Sequence, residues 1–196
     1  MRIGMILFSS GGFPPDIRVE KECQALSQAG HEVFVLSVAR DRDEVGTSQY
    51  VDPLGAKVCR VAEAPKSLRV RLLDRLLIPN RYWTDCIEKF IRDFELEVVH
   101  AHDLYALPPA VSAGKRTGVP VIADLHENMP AACRAYRDWY SFPKKWLSRI
   151  IDNYHWMRWR ESALLKACHH VIVVVPEASR RLREYGIDSS KITVVS

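Results

Sequence analysis

Ile3-Gly4-Met5-Ile6-Leu7-Phe8-Ser9-Ser10-Gly11-Gly12-Phe13-Pro14-Pro15-Asp16 opens the chain and carries the first decisions about its architecture. Ile3 to Ser9 is a short apolar run, Ser10-Gly11-Gly12 breaks it, and Pro14-Pro15-Asp16 begins a new element. Val19, Cys23 and Leu26 then recur at helical spacing until Gly30, and a second apolar run, Val33 to Val38, follows at once. A strand, a helix and a strand this close together form a right-handed crossover between parallel neighbours. This is the opening βαβ unit of a doubly wound sheet.

Glycines at a strand-to-helix join let the backbone approach an anion closely, and the unpaired N–H groups of the helix start favour phosphate. Gly11 and Gly12 are therefore candidate phosphate contacts, with a purely steric turn as the alternative. Asp16 has the character of a helix cap, with Pro14 and Pro15 fixing the approach of the chain.

The same alternation continues. Arg40 to Pro53 is polar and reads as an exposed loop, and Ala56 to Val61 as a third strand. Leu68 to Ile78 has a helical pattern ended by Pro79, and Trp83, Ile87, Phe90, Ile91 and Phe94 mark an amphipathic helix. Leu96 to His102 is a strand, followed by a helix through Lys115 whose Pro108-Pro109 implies a late or kinked start. Val121 to Leu125 delivers Asp124, His126 and Glu127 at its carboxyl end. Residues 128–142 read as irregular, and a long helix is expected from Pro143 to Cys168. His170 to Val175 is a buried strand, Glu177 to Tyr185 a helix closed by Gly186, and Lys191 to Ser196 a last strand. Ligands of such sheets gather at the carboxyl ends of strands, near the switch point. Gly11-Gly12, His102-Asp103 and His126-Glu127 fall there.

Composition narrows the function classes. With 196 residues, 47% hydrophobic and 27% charged, the chain can bury the core of one domain and is neither disordered nor fibrous. Its apolar runs fall well short of the roughly 18 residues that cross a bilayer, and the first residues lack the pattern of an export signal, so a cytoplasmic protein is expected. Five scattered cysteines without a C-x-x-C pair argue against a disulfide framework or a zinc knuckle. The net charge of +4 permits an anionic partner without demanding one.

Four ordered stretches resemble the amino-terminal domain of family-four glycosyltransferases of the GT-B fold. They are Phe13 to Glu22 with Leu26 and Ala29-Gly30-His31-Glu32-Val33, then Val98-Val99-His100-Ala101-His102, then Val121 to Glu127, and finally Val171 to Ala178. The resemblance implies an α/β fold, a Rossmann-like parallel sheet with helices on both faces that forms one half of a GT-B enzyme. Residues 1–196 would be the acceptor-side domain, and the carboxyl-terminal nucleotide-sugar domain, with the family's E-x7-E motif, would be absent from this chain. Such a fragment alone is expected to be inactive. The implied activity is that of a retaining transferase using a UDP- or GDP-sugar, with no metal, in glycan, glycolipid or cell-envelope biosynthesis. His126 matches the family's active-site histidine, Glu127 would orient it or the acceptor hydroxyl, and Gly11 and Gly12 would approach the donor diphosphate. In this sequence the glycine pair precedes the prolines, whereas the commoner pattern places it after them. Arg18, His102 and Asp103 would face the acceptor side of the cleft.

Two other readings stay open. His100 and His102 point to one side of a strand as an H-x-H metal pair would, and Asp103, His126 and His169-His170 could complete a metal-dependent hydrolase. A stand-alone Rossmann-like binding module is the non-enzymatic alternative, although no recognised nucleic-acid-binding motif is present. Lys66, Arg69, Arg71, Arg75 and Arg81 surround one apolar helix. Arg134, Arg137, Lys144, Lys145, Arg149, Arg158 and Arg160 interleave with Trp139, Tyr140, Trp146, Trp156 and Trp159. Both patterns suit an anionic membrane surface, where a peripheral enzyme would meet a lipid-linked acceptor, or else an ordinary solvated face.

Overall fold

The structure, a computed structural model, describes residues 1–8, 13–14, 16–46, 48–65, 67–136, 139, 141–142 and 153–195. Its strands are β1 Arg2–Leu7, β2 Glu32–Val38, β3 Ser48–Val51, β4 Ala56–Val61, β5 Val98–His102, β6 Val121–Leu125, β7 His170–Val173 and β8 Ile192–Val194. They form one sheet in the order β3-β4-β2-β1-β5-β6-β7-β8, parallel throughout except for the β3 edge. From β1 the chain builds outward through β2 to β4, then returns to the other side of β1 for β5 to β8. The switch point therefore lies between β1 and β5.

The helices are α1 Ile17–Gln28, α2 Leu68–Arg75, α3 Arg81–Asp93, α4 Leu107–Thr117, α5 Met129–Tyr136, α6 Tyr154–Ala167 and α7 Pro176–Glu184. Strand residues alternate between two cores. Met5, Leu7, Val33, Val35, Ala56 and Val58 meet Val19 and Cys23 of α1 on one face. Ile6, Leu36, Val99, Ala101, Ala123 and Val171 meet α3, α4, α6 and α7 on the other. The expected doubly wound architecture is present.

Local chemistry sets the helix starts. Asp16 caps α1, its Oδ1 accepting from Arg18 N at 3.1 Å, while Glu20 Oε1 accepts from Asp16 N at 2.9 Å. Asn80 caps α3 through Trp83 N at 3.0 Å, and the buried stripe Trp83, Ile87, Phe90 and Ile91 turns that helix inward. Pro108 and Pro109 fall in the first turn of α4, where the missing N–H groups cost no bond, so the helix begins late, at Leu107, after the turn that follows β5. Glu161 of α6, fully buried, accepts from Arg181 of α7 at 2.6 Å and ties those two helices together.

Three expectations change. Arg40 to Pro53 contains a 3-10 turn at Arg42–Glu44 and the antiparallel edge strand β3, which pairs Ser48 with Cys59 and Val51 with Ala56. Ser48, Gln49 and Tyr50 are all exposed, so no apolar alternation announced this strand. Within residues 128–142, Met129–Tyr136 is helical; Ala131, Ala132 and Ala135 favour it intrinsically, and Pro130 sits in its first turn. The long helix expected from Pro143 is seen as α6 from Tyr154, capped by Asn153, and residues 143–152 lie outside the described residues.

Candidate active site

β5 and β6 end side by side at the carboxyl edge of the sheet, with His102 level with Asp124. Two-residue spacing puts His100 and His102 of β5 on the same face as Asp124 of β6, with His126 just past that strand. The four side chains converge. Oδ2 of Asp124 lies 3.3 Å from His100 Nε2, 3.4 Å from His102 Nδ1 and 3.5 Å from His126 Nε2. The His100 and His102 rings stack at 4.4 Å, and His102 and His126 are parallel at 5.9 Å. From the helix above, Glu22 brings Oε2 to 3.7 Å from His102 Nε2.

Burial dominates the titration of His102 and Glu22. His102 is 2% exposed, and burial lowers its pKa to about 4 despite the neighbouring Asp124 carboxylate. Burial, helped by the charge of Asp124, pushes Glu22 up to about 7. Burial alone would raise Asp124 too, yet the imidazoles of His100 and His102 hold it well below the usual carboxylate range. An open cleft of about 390 Å³ runs from Glu22, His100, Asp124 and His126 along the same face, walled by Ile3, Leu26, Val98, Ile122 and Ile172.

A second set of groups forms the rim. Asp103 follows β5 with φ 64°, a left-handed conformation that is uncommon for a residue with a side chain and recurs at functional turns. Its N–H donates to the Asp124 carbonyl at 2.8 Å. Burial raises the Asp103 pKa, opposed by His126, by Arg18 and by a hydrogen bond from the His126 backbone, while Glu127 adds a like charge. The charges of Arg18, at the start of α1, and of His126 and Glu127, just past β6, thus all act on Asp103. Arg18 also pairs with its own cap, Nε to Asp16 Oδ1 at 3.6 Å, and Glu127 is exposed. Gly11 and Gly12 lie outside the described residues; β1, which precedes them, runs parallel to β6 and ends on the same edge of the sheet.

The residue profile of Glycosyltransferase Family 4 matches residues 17–196, nearly the whole chain. The chain belongs to Glycosyltransferase Family 4. Solved structures agree on the fold of this family-four domain. Sucrose-phosphate synthase from Thermosynechococcus elongatus superimposes with a TM-score of 0.64 at 14% identity, covering 99% of this chain and 47% of that one. HepE from Anabaena, in complex with UDP and glucose, gives 0.60 at 11% identity, covering 100% and 44%. A glycosyltransferase from Rickettsia africae gives 0.54 at 16% identity, covering 100% and 42%. The family-four chain therefore spans less than half the length of each of these three structures. No curated protein matches it significantly.

Two partners in the cluster were given no site role from sequence: Asp124, noted only as lying at its strand's carboxyl end, and Glu22. Asp124 had a signal, since D-x-H at a strand end puts both side chains on one face. Glu22 had one as well, standing three residues after the buried Val19 and four before Leu26, which packs on the same core. The hydrolase constellation is corrected in composition. The residues whose donor atoms lie within 4.8 Å of one another are Glu22, His102, Asp124 and His126, so His100 and Asp103 of the expected set give way to Glu22 and Asp124. His169 and His170 cannot complete that group, because β7 starts at His170 beside Ile122, toward the opposite edge, and His170 Nε2 bonds Thr193 Oγ1 at 2.8 Å.

Proposed function

We propose that this family-four domain is the acceptor-side half of a retaining transferase that moves a sugar from a UDP- or GDP-sugar to a hydroxyl acceptor. The observation that carries this is the family match over residues 17–196 together with Asp103, Asp124 and His126 gathered at the carboxyl edge of the sheet. A hydrogen bond from His126, backed by the Asp124 carboxylate at 3.5 Å, would hold the donor sugar or its departing diphosphate, and backbone amides after β1, around Gly11 and Gly12, would add to it. Arg18 and Asp103 would line the acceptor side, with Glu127 facing the acceptor hydroxyl, whereas His102, expected there from the sequence, is fully buried beneath the rim and cannot touch an acceptor. No metal takes part in the transfer step.

The test is acceptor-dependent release of nucleoside diphosphate from a panel of UDP- and GDP-hexoses, with products followed by mass spectrometry. Release tied to a glycosylated product supports the proposal. Sugar-nucleotide binding without transfer to any hydroxyl acceptor, or no binding at all, overturns it.

We further propose a lipid-linked acceptor of cell-envelope type, met at an anionic membrane surface by a cytoplasmic peripheral enzyme. Among the described residues, no helix is long and apolar enough to cross a membrane. Leu68 and Leu72 of α2 are exposed beside the exposed Arg69 and Arg71, and Trp139, Phe142 and Trp159 are exposed as well. Trp156 and Arg160 have a structural task instead, donating to the carbonyls of Leu76 and Leu77 and holding α6 to the end of α2. Lys66, Arg137, Tyr140, Lys144, Lys145, Trp146 and Arg149 lie outside the described residues. Co-sedimentation with phosphatidylglycerol vesicles, lost in neutral vesicles and weakened by Arg69→Glu with Arg71→Glu, supports the surface. Equal behaviour in both vesicle types removes it.

A further inference from the structure

His102 is enclosed between two carboxyl groups. Its Nδ1 stands 3.4 Å from Asp124 Oδ2, and its Nε2, on the opposite side of the ring, stands 3.7 Å from Glu22 Oε2. Asp124 Oδ2 is in turn 3.5 Å from Nε2 of His126. The groups follow one another as Glu22, His102, Asp124 and His126, a chain that runs from α1 across the ends of β5 and β6 to the rim. Glu22 Oε2, both nitrogens of His102 and Nε2 of His126 are buried and have no other hydrogen-bond partner among the described residues, so nothing competes with the chain for them. The separations exceed the roughly 2.7–3.2 Å of a direct bond, as those of catalytic groups often do before substrate binds and tightens them.

Donor and acceptor roles along this chain follow from charge. Burial lowers His102 to about 4, so near neutral pH its ring is uncharged and carries one N–H. Asp124, held below the usual carboxylate range by His100 and His102, is ionised and can only accept. The one ring proton of His102 therefore sits on Nδ1, and Nε2 is left as an acceptor. Glu22 can satisfy that acceptor only when it carries a proton itself. The groups bearing on Glu22 are His100 and His102 of β5, Asp124 of β6 and Asp16 at the start of its own helix, and burial together with Asp124 raises it to about 7.

We propose that Glu22 and His102 are positioning residues, which act through Asp124 to hold the His126 ring in the orientation that transfer requires. Neither touches a substrate. Glu22 donates to His102 Nε2, His102 Nδ1–H donates to Asp124, and Asp124 accepts from His126 Nε2–H, so the ring at the rim is fixed from a helix on the face of the sheet. The buried His100, stacked on His102 at 4.4 Å and 3.3 Å from Asp124 Oδ2, supports the carboxylate from the other side. The role in transfer rests on the transferase reading, whereas the chain itself rests on the geometry.

The test combines ring NMR signals, read without substrate, with turnover. In ¹⁵N-histidine NMR, with rings assigned through His102→Gln and His126→Gln, His102 is expected as the neutral Nδ1–H tautomer at about pH 6. Glu22→Leu removes the donor and should shift the ring signals of both His102 and His126. In the diphosphate-release assay it should lower kcat about tenfold with KM nearly unchanged. Glu22→Gln keeps a donor that does not titrate, so it should recover most of that turnover and abolish the fall in kcat as pH rises through about 7. The other His102 tautomer, a His126 signal unmoved by Glu22→Leu, or an active enzyme whose kcat Glu22→Leu leaves intact overturns the proposal. Should Glu22→Leu not fold, the pH profile of Glu22→Gln decides, and a limb near neutral pH that persists there overturns it. Absence of transfer by the parent defeats the transferase reading alone, and the ring signals then decide the chain.

Discussion

The Asp124 carboxylate stands 3.5 Å from Nε2 of His126, two residues further along the same strand end. Asp124 is 1% exposed, so this negative charge is screened little by water and bears directly on the imidazole. Asp124→Asn keeps the volume and removes the charge. It should lower kcat by about 10- to 100-fold with KM nearly unchanged, and shift the pH profile. A variant with full turnover and an unmoved profile would show that Asp124 does not act through His126.

The buried Glu161–Arg181 pair gives a prediction about stability. Arg181→Ala would strand a carboxylate that is fully buried, at a cost of about 3–5 kcal/mol in urea unfolding. The double variant Glu161→Met with Arg181→Met should recover most of that loss, since no charge is then left unpaired. Equal loss in both would mean that packing rather than charge dominates at this joint.

Burial raises the thiols of Cys23 and Cys168 to about 12 and that of Cys59 to about 11. The folded chain therefore keeps protons that the unfolded chain releases near pH 9, and stability must fall as pH rises from about 9 toward 12. Replacing Cys23 and Cys168 by alanine should make the alkaline decline shallower. Under native conditions near pH 8 the half-buried Cys86 and Cys133 should react with a thiol reagent well before the three buried cysteines. An unchanged decline, or uniform reactivity, would contradict this burial pattern.

Gly114 sits where α4 passes closest to the chain entering β6. A Cβ there would stand 2.6 Å from Val121 Cγ2 and 2.8 Å from the Val119 carbonyl. Helix propensity alone would reward Gly114→Ala by about 1 kcal/mol, but overpacking against backbone typically costs 1–3 kcal/mol. A net loss of about 1 kcal/mol is expected by chemical denaturation; a gain would show that the loop can yield.

Much of this molecule was legible in the order of its residues, for reasons that differ by element. β6 reads as Val121 to Leu125 in sequence and in structure, because a short buried strand bounded by Gly118-Val119-Pro120 has little other choice. β3 was hidden, since an edge strand with both faces near water carries no apolar alternation. The site was half legible. Strand periodicity places His100 and His102 together, but the pairing of His102 with Asp124 depends on the β5–β6 register, which no local pattern encodes. Glu22 joins from a helix more than seventy residues earlier in the chain, and only the packing of α1 on the sheet brings it there.

The most direct measurement is the turnover of His126→Ala in the active enzyme, set beside its unfolding temperature. A fall of about 100-fold or more in kcat, with Tm within a few degrees of the parent, is the predicted result. Near-normal turnover in a well-folded variant would contradict the placement of the chemistry at the carboxyl edge of β6.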